Sequence, residues 1–159
     1  MKTLKQRIEE GQQFQQAINN LNSSYEKRNS RLKKRLEKYL KNENTYFITF
    51  TISPKYYDLK YNTYLRKIKK ALARAGALGW ILNSDYGDKN ERLHFHTLAT
   101  FQDQLDYNTI NNIYQYGSVN FKKVYNNNEK ALREYLIKTF NHTLKQTTGK
   151  IYYSRRKTH

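Results

Sequence analysis

The stretch Leu93-His94-Phe95-His96-Thr97-Leu98-Ala99-Thr100-Phe101 limits what this chain can fold into more than any other. Leu93, Phe95, Ala99 and Phe101 share one parity, and His94, His96 and Thr100 share the other. Alternation with a period of two predicts a β-strand with one face on a core. Both imidazoles then project from the same side, about 6–7 Å apart along the strand. Two imidazoles offered together by a rigid element suit a single metal ion. Two unrelated histidines on a polar sheet face would give the same spacing, so the pair alone does not decide.

The flanking sequence predicts a sheet around that strand. Tyr46-Phe47-Ile48-Thr49-Phe50-Thr51-Ile52 is β-branched and aromatic, and Pro54 closes it. Leu59 to Ala75 reads as a basic helix ended by Gly76, and Leu78 to Asn83 as a second strand. Residues 84–90 read as a turn joining it to the histidine strand. A helix over Gln104 to Tyr114, a strand over Ser118 to Val124, a cap at Asn126 to Asn128 and a helix over Glu129 to Leu144 follow. Lys150 to Ser154 adds an edge strand. The order β-α-β-β-α-β-α predicts an α+β fold, the split βαβ arrangement of ferredoxin-like folds. Its antiparallel sheet has four or five strands, with helices on one side.

Ahead of this lies a basic helical arm, residues 1–44, with residues 45–159 as the main domain. Leu4, Ile8, Phe14, Ile18, Leu21, Tyr25, Leu32, Leu36 and Tyr39 keep an approximate three/four spacing. A break is predicted at Asn19 to Ser24, with Ser23 and Glu26 in capping-box spacing for a second helix. That second helix is either a solvated charged surface, a DNA-backbone contact or a partner helix.

Charge narrows the partners. The 159 residues hold 30 Lys+Arg against 13 Asp+Glu, a formal charge of +17. Residues 1–44 carry 11 basic and 5 acidic side chains, and the remainder 19 and 8, so no single tail is responsible. Such a balance fits a polyanion, and 15 Tyr with 7 Phe add rings on which unpaired bases stack. No segment joins a strong apolar face to a basic one, which argues against a membrane surface. No stretch approaches the roughly 18 apolar residues of a membrane span, and no secretory pattern opens the chain. The expectation is a soluble, intracellular protein. The absence of cysteine excludes disulfides and thiolate ligands, leaving His, Asp, Glu and water for any metal. No phosphate-binding glycine loop is present, and a chain of this length leaves no room for an ATP-driven motor.

Two further elements converge on the histidines. Asp85 ends the neighbouring strand and is a candidate third ligand, with Asp88 and Glu91 as alternatives. Two imidazoles and a carboxylate with open positions suit a divalent ion acting as Lewis acid on phosphate oxygen. On the last helix, Leu132, Leu136, Ile137, Phe140 and Leu144 form an apolar stripe. Tyr135 lies roughly opposite it, with Lys138 and His142 on its side. A tyrosine beside a lysine has the chemistry of a phosphate-attacking nucleophile, the cation stabilising phenolate. Among 15 tyrosines, such a neighbour also arises by chance.

The ordered set resembles the HUH endonuclease superfamily, and within it the rolling-circle replication initiators of small single-stranded DNA phages and plasmids. The matching residues are Phe47-Ile48-Thr49-Phe50-Thr51, then Leu93-His94-Phe95-His96, then Tyr135-Leu136-Ile137-Lys138. Asp85-Tyr86-Gly87 lies where many phage members have an acidic residue followed by aromatic-Gly, although glutamate is more usual there than aspartate. Gly117-Ser118-Val119-Asn120 resembles the strand before the tyrosine helix. The resemblance covers residues 45–154 and leaves residues 1–44 unmatched.

The resemblance implies a nicking and joining enzyme of the host-cell cytoplasm. His94, His96 and Asp85 hold Mn²⁺ or Mg²⁺, and Tyr135, aided by Lys138, forms a 5′-phosphotyrosine link and frees a 3′-hydroxyl. Thr49, Thr51, Lys122, Arg133 and His142 are then expected at the DNA. The partners implied are a replication origin, as a single strand or a hairpin, and a helicase and polymerase from host or phage. Two alternatives fit the same residues: a single-tyrosine transposase of the same superfamily, and a non-catalytic single-stranded nucleic-acid binder.

Overall fold

The computed structural model describes residues 1–86, 92–124, 129–145 and 150–155. Helix α1 spans Leu4–Leu40, followed by strand β1, Thr45–Thr51. A short 3₁₀ turn at Pro54–Tyr56 leads to α2, Tyr61–Arg74, then β2, Ala77–Tyr86, and β3, Leu93–Phe101. Helix α3, Tyr107–Ile113, strand β4, Val119–Lys123, helix α4, Glu129–Lys145, and strand β5, Tyr152–Tyr153, complete the order. The expected cap at 126–128 lies outside the described residues.

The five strands form one sheet in the order β4-β1-β3-β2-β5, every pair antiparallel. β3 lies between β1 and β2, which is the split βαβ arrangement read from the sequence, and β5 is the added edge. The parity of each strand decides which side chains meet which helices. Tyr46, Ile48 and Phe50 of β1 and Phe95, Ala99 and Phe101 of β3 face Tyr64, Leu65, Ile68 and Leu72 of α2 and Ile110 of α3. Gly76, at φ 83°, follows the end of α2 and lets the chain reverse into β2 where a side chain would be strained.

The opposite face has its own core. Leu98 and Ile81 meet Leu32, Leu36, Tyr39 and Leu40 of α1 and Leu136 and Phe140 of α4. Helices therefore flank both faces, whereas the strand pattern placed them on one. The reason is Leu98: it shares the histidine parity yet is fully buried, so this end of the face demanded a cover.

α1 is one continuous helix, correcting the break expected at Asn19 to Ser24. That segment holds no glycine or proline, and Asn and Ser each cost a helix interior well under about 1 kcal/mol. The capping box sits instead at the start, where Gln6 N–H donates to Thr3 Oγ1 and Thr3 N–H to Gln6 Oε1. Ser84 and Asp85, expected in a turn, belong to β2.

Candidate active site

The uncovered end of the histidine-bearing face is a grid of polar side chains set by strand register. Residues directly opposite in an antiparallel pair share a face. His96 stands between Thr49 on β1 and Asn83 on β2, and His94 between Thr51 and Asp85. Asn120 of β4 is opposite Thr49, and Lys122 is opposite Phe47. The imidazole rings are nearly parallel, tilted 15°, with centroids 6.3 Å apart.

Each histidine is oriented by a threonine. Thr49 Oγ1 is 3.3 Å from His96 Nδ1, and Thr51 Oγ1 is 3.0 Å from His94 Nδ1. When Nδ1–H donates to the hydroxyl oxygen, Nε2 keeps its lone pair and points away from the threonine. Burial pushes the His96 pKa down, against the attraction of the Asp85 carboxylate and with repulsion from His94. The neutral ring, the form that ligates a metal, is thereby favoured.

Backbone packing holds Thr51 in place. Thr51 N–H donates to the Ser118 carbonyl and Ser53 N–H to Tyr116, at 2.9 and 2.8 Å. A Cβ on Gly117 would overlap the Thr51 carbonyl oxygen, so the glycine is a steric necessity at this crossing.

α4 brings Tyr135 to the same face. Leu136 and Phe140 are fully buried on the sheet, while Tyr135 is 54% exposed and Lys138 is exposed, as the helical stripe required. The Tyr135 ring meets the edge of Phe47, centroids 6.1 Å apart, and Phe47 stacks on His96 at 5.7 Å. Tyr135 is thus one ring removed from His96, with Phe47 setting the spacing. Phe47, its site role unseen in the sequence beyond the strand motif, is the residue that links nucleophile helix to histidine strand.

Residues 45–144 match the model of a replication-associated protein family, that of replication-associated protein ORF2. The chain belongs to that family. The match begins at the first residue of β1 and ends one residue before the end of α4, so it takes in every residue just described and leaves α1 and β5 outside. No curated protein and no solved structure matches this ORF2-family chain.

The donor set of the family domain suits a divalent ion in kind: two imidazoles with Nδ1 engaged, and a carboxylate across the strand pair. Among the described residues, no three His, Asp or Glu side chains are drawn close enough to enclose an ion. Asp88 and Glu91, the alternative third ligands, lie outside the described residues, as do the side chains of Arg133 and His142. Among the expected DNA contacts, Lys122 is exposed on the polar face, and Thr49 and Thr51 are engaged with the histidines. No helix among the described residues is long and apolar enough to cross a membrane.

Proposed function

We propose that this ORF2-family protein nicks and rejoins single-stranded DNA at a replication origin, with Tyr135 as nucleophile. The observation that carries the reading is the common sheet face of the His94/His96 pair and Tyr135, joined through Phe47. It accords with the HUH pattern and with the family's replication role.

His94 and His96, with Asp85 opposite, would hold a divalent ion, Mn²⁺ or Mg²⁺. When bound, the ion supplies Lewis-acid polarisation of a phosphate oxygen. Thr49 and Thr51 fix the ring orientation that such ligation needs. Tyr135 Oη attacks phosphorus, forming the O–P ester and losing its proton to solvent. The bond from phosphorus to the 3′-oxygen breaks, and that oxygen takes up a proton as a free 3′-hydroxyl. The ester energy stays in the 5′-phosphotyrosine, so a later 3′-hydroxyl reverses the step and reseals a strand. Lys138, one turn along the exposed surface of α4, counters the charge of phenolate and phosphate. The 3′-hydroxyl primes synthesis by a separate polymerase, and unwinding belongs to a helicase partner.

Capture from a randomised single-stranded oligonucleotide pool with Mn²⁺ tests this. Wild type is expected to give a protein–DNA adduct that survives a denaturing gel. Tyr135→Phe, which keeps the half-exposed ring, is expected to melt at the wild-type temperature and to give none. Lys138→Ala is expected to slow the adduct without abolishing it. An adduct on Tyr135→Phe moves the nucleophile to another tyrosine, with Tyr125, Tyr152 and Tyr153 next. No wild-type adduct with Mn²⁺ or Mg²⁺ overturns the enzyme and leaves a binding module.

A further inference from the structure

Basic side chains are distributed unevenly along α1. Residues 2–24 carry three Lys or Arg and two Glu, although nearly all of them are exposed. Residues 25–41 carry eight Lys or Arg and two Glu. A helix that used charge only for solubility would place it on the exposed half. Here it is concentrated on the half that docks beside the sheet through Leu32, Leu36, Tyr39 and Leu40.

Within that half, Lys27, Ser30, Arg31, Lys34, Arg35 and Lys38 line one groove of about 520 Å³. Their spacing of three and four puts them on one side of the helix, over about 16 Å at about 1.5 Å per residue. No acidic side chain is among the groove's lining residues. A second hollow shares Lys27 and Arg31 and continues the groove to Ser23, Ser24 and Asn20. Arg35 ties the groove to the sheet: its Nη1 donates to Tyr39 Oη at 3.2 Å, and its guanidinium lies 5.5 Å from the Tyr153 ring centroid. Tyr153 pairs with Ile81, and Ile81 packs with Leu98, two residues from His96 on the same strand. The groove therefore borders the sheet face that carries the candidate active site.

We propose that this groove is a phosphate track for single-stranded DNA, outside the family domain and independent of the cleavage site. It rests on the single-stranded DNA reading given above. A row of cations without acceptors for base edges contacts phosphates whatever the sequence. A positive groove beside aromatic rings is the form of a single-strand site. The track would hold the strand that continues beyond the scissile phosphate.

The test uses the full-length chain and a fluorescent 30-nucleotide oligo-dT strand titrated across salt concentrations. Lys27, Arg31, Lys34 and Lys38 are changed together to Gln, which preserves helix propensity. The control changes Arg66, Lys67, Lys70 and Arg74 of α2, on the other side of the sheet, to Gln and removes the same charge. Four lost phosphate contacts should make the log–log salt slope shallower by about 2.8, at about 0.7 per contact on single strands. The α2 variant should keep a slope near wild type, and both should keep the wild-type helical spectrum. A binding wild type with an unchanged slope in the α1 variant overturns the track. So does an equal loss in the α2 variant, which would make net charge the cause, and so does loss confined to duplex DNA. A wild type that binds no single strand defeats the underlying reading instead.

Discussion

Thr51 and Thr49 are the residues through which the strand motif acts. A hydroxyl on each histidine Nδ1 fixes which nitrogen is offered to a ligand, and partners of this kind are worth about 10–100-fold in metal affinity. Thr51→Val keeps shape and β-propensity but removes the oxygen. It is expected to weaken Mn²⁺ binding by about that factor in calorimetry while leaving the fold intact, and an unchanged affinity would remove Thr51 from the site. His96 adds a pH signature. Its pKa in the folded chain lies below the ordinary 6.5 because burial penalises the imidazolium. The unfolded chain therefore takes up this proton first. Its stabilising contribution is complete above about pH 6.5 and is lost as pH falls from there through the folded pKa. Urea midpoints of the metal-free protein should decline across that window, and His96→Gln should flatten the decline. An equally steep profile in the variant would assign it to other groups.

At the scale of elements, α1 is two things in one helix. Leu32 and Leu36 are fully buried, whereas Leu4, Ile8, Phe14 and Leu21 are between 52% and 74% exposed. Removing residues 1–22 is expected to shift the melting temperature by only a few degrees. Leu36→Ala should cost about 2–5 kcal/mol, the usual range for emptying a packed leucine site. A larger loss from the deletion than from Leu36→Ala would mean that the outer half is part of the cooperative fold. α4 divides its sides in the same way: Leu136 and Phe140 anchor it, and that anchoring leaves Tyr135 at the sheet face rather than in the core.

For the whole molecule, charge and chemistry are separable. The +17 charge comes from side chains spread over both α1 and the family domain, so attraction to DNA does not depend on a bound ion. Binding to single-stranded DNA should therefore survive EDTA, while adduct formation should not. Loss of both on chelation would mean that the ion organises the DNA surface itself. Binding that is insensitive to salt would contradict an electrostatic interface.

The sequence by itself determined the strands, most helix limits and the split βαβ order, because period-two alternation and turn residues are local signals. It also determined that His94 and His96 share a face, and that Tyr135 stands off the apolar stripe of its helix. It did not determine the second helical layer. Whether Leu98 is covered depends on α1, whose residues lie about 60 positions away in the chain and whose docking no local pattern records. Nor did it determine the parts played by Phe47 and the threonines. Thr49 opposite His96 and Thr51 opposite His94 are facts of register, and register is settled only when β1 and β3 pair. The single ring between Tyr135 and His96 likewise exists only once α4 packs on the sheet beside Phe47.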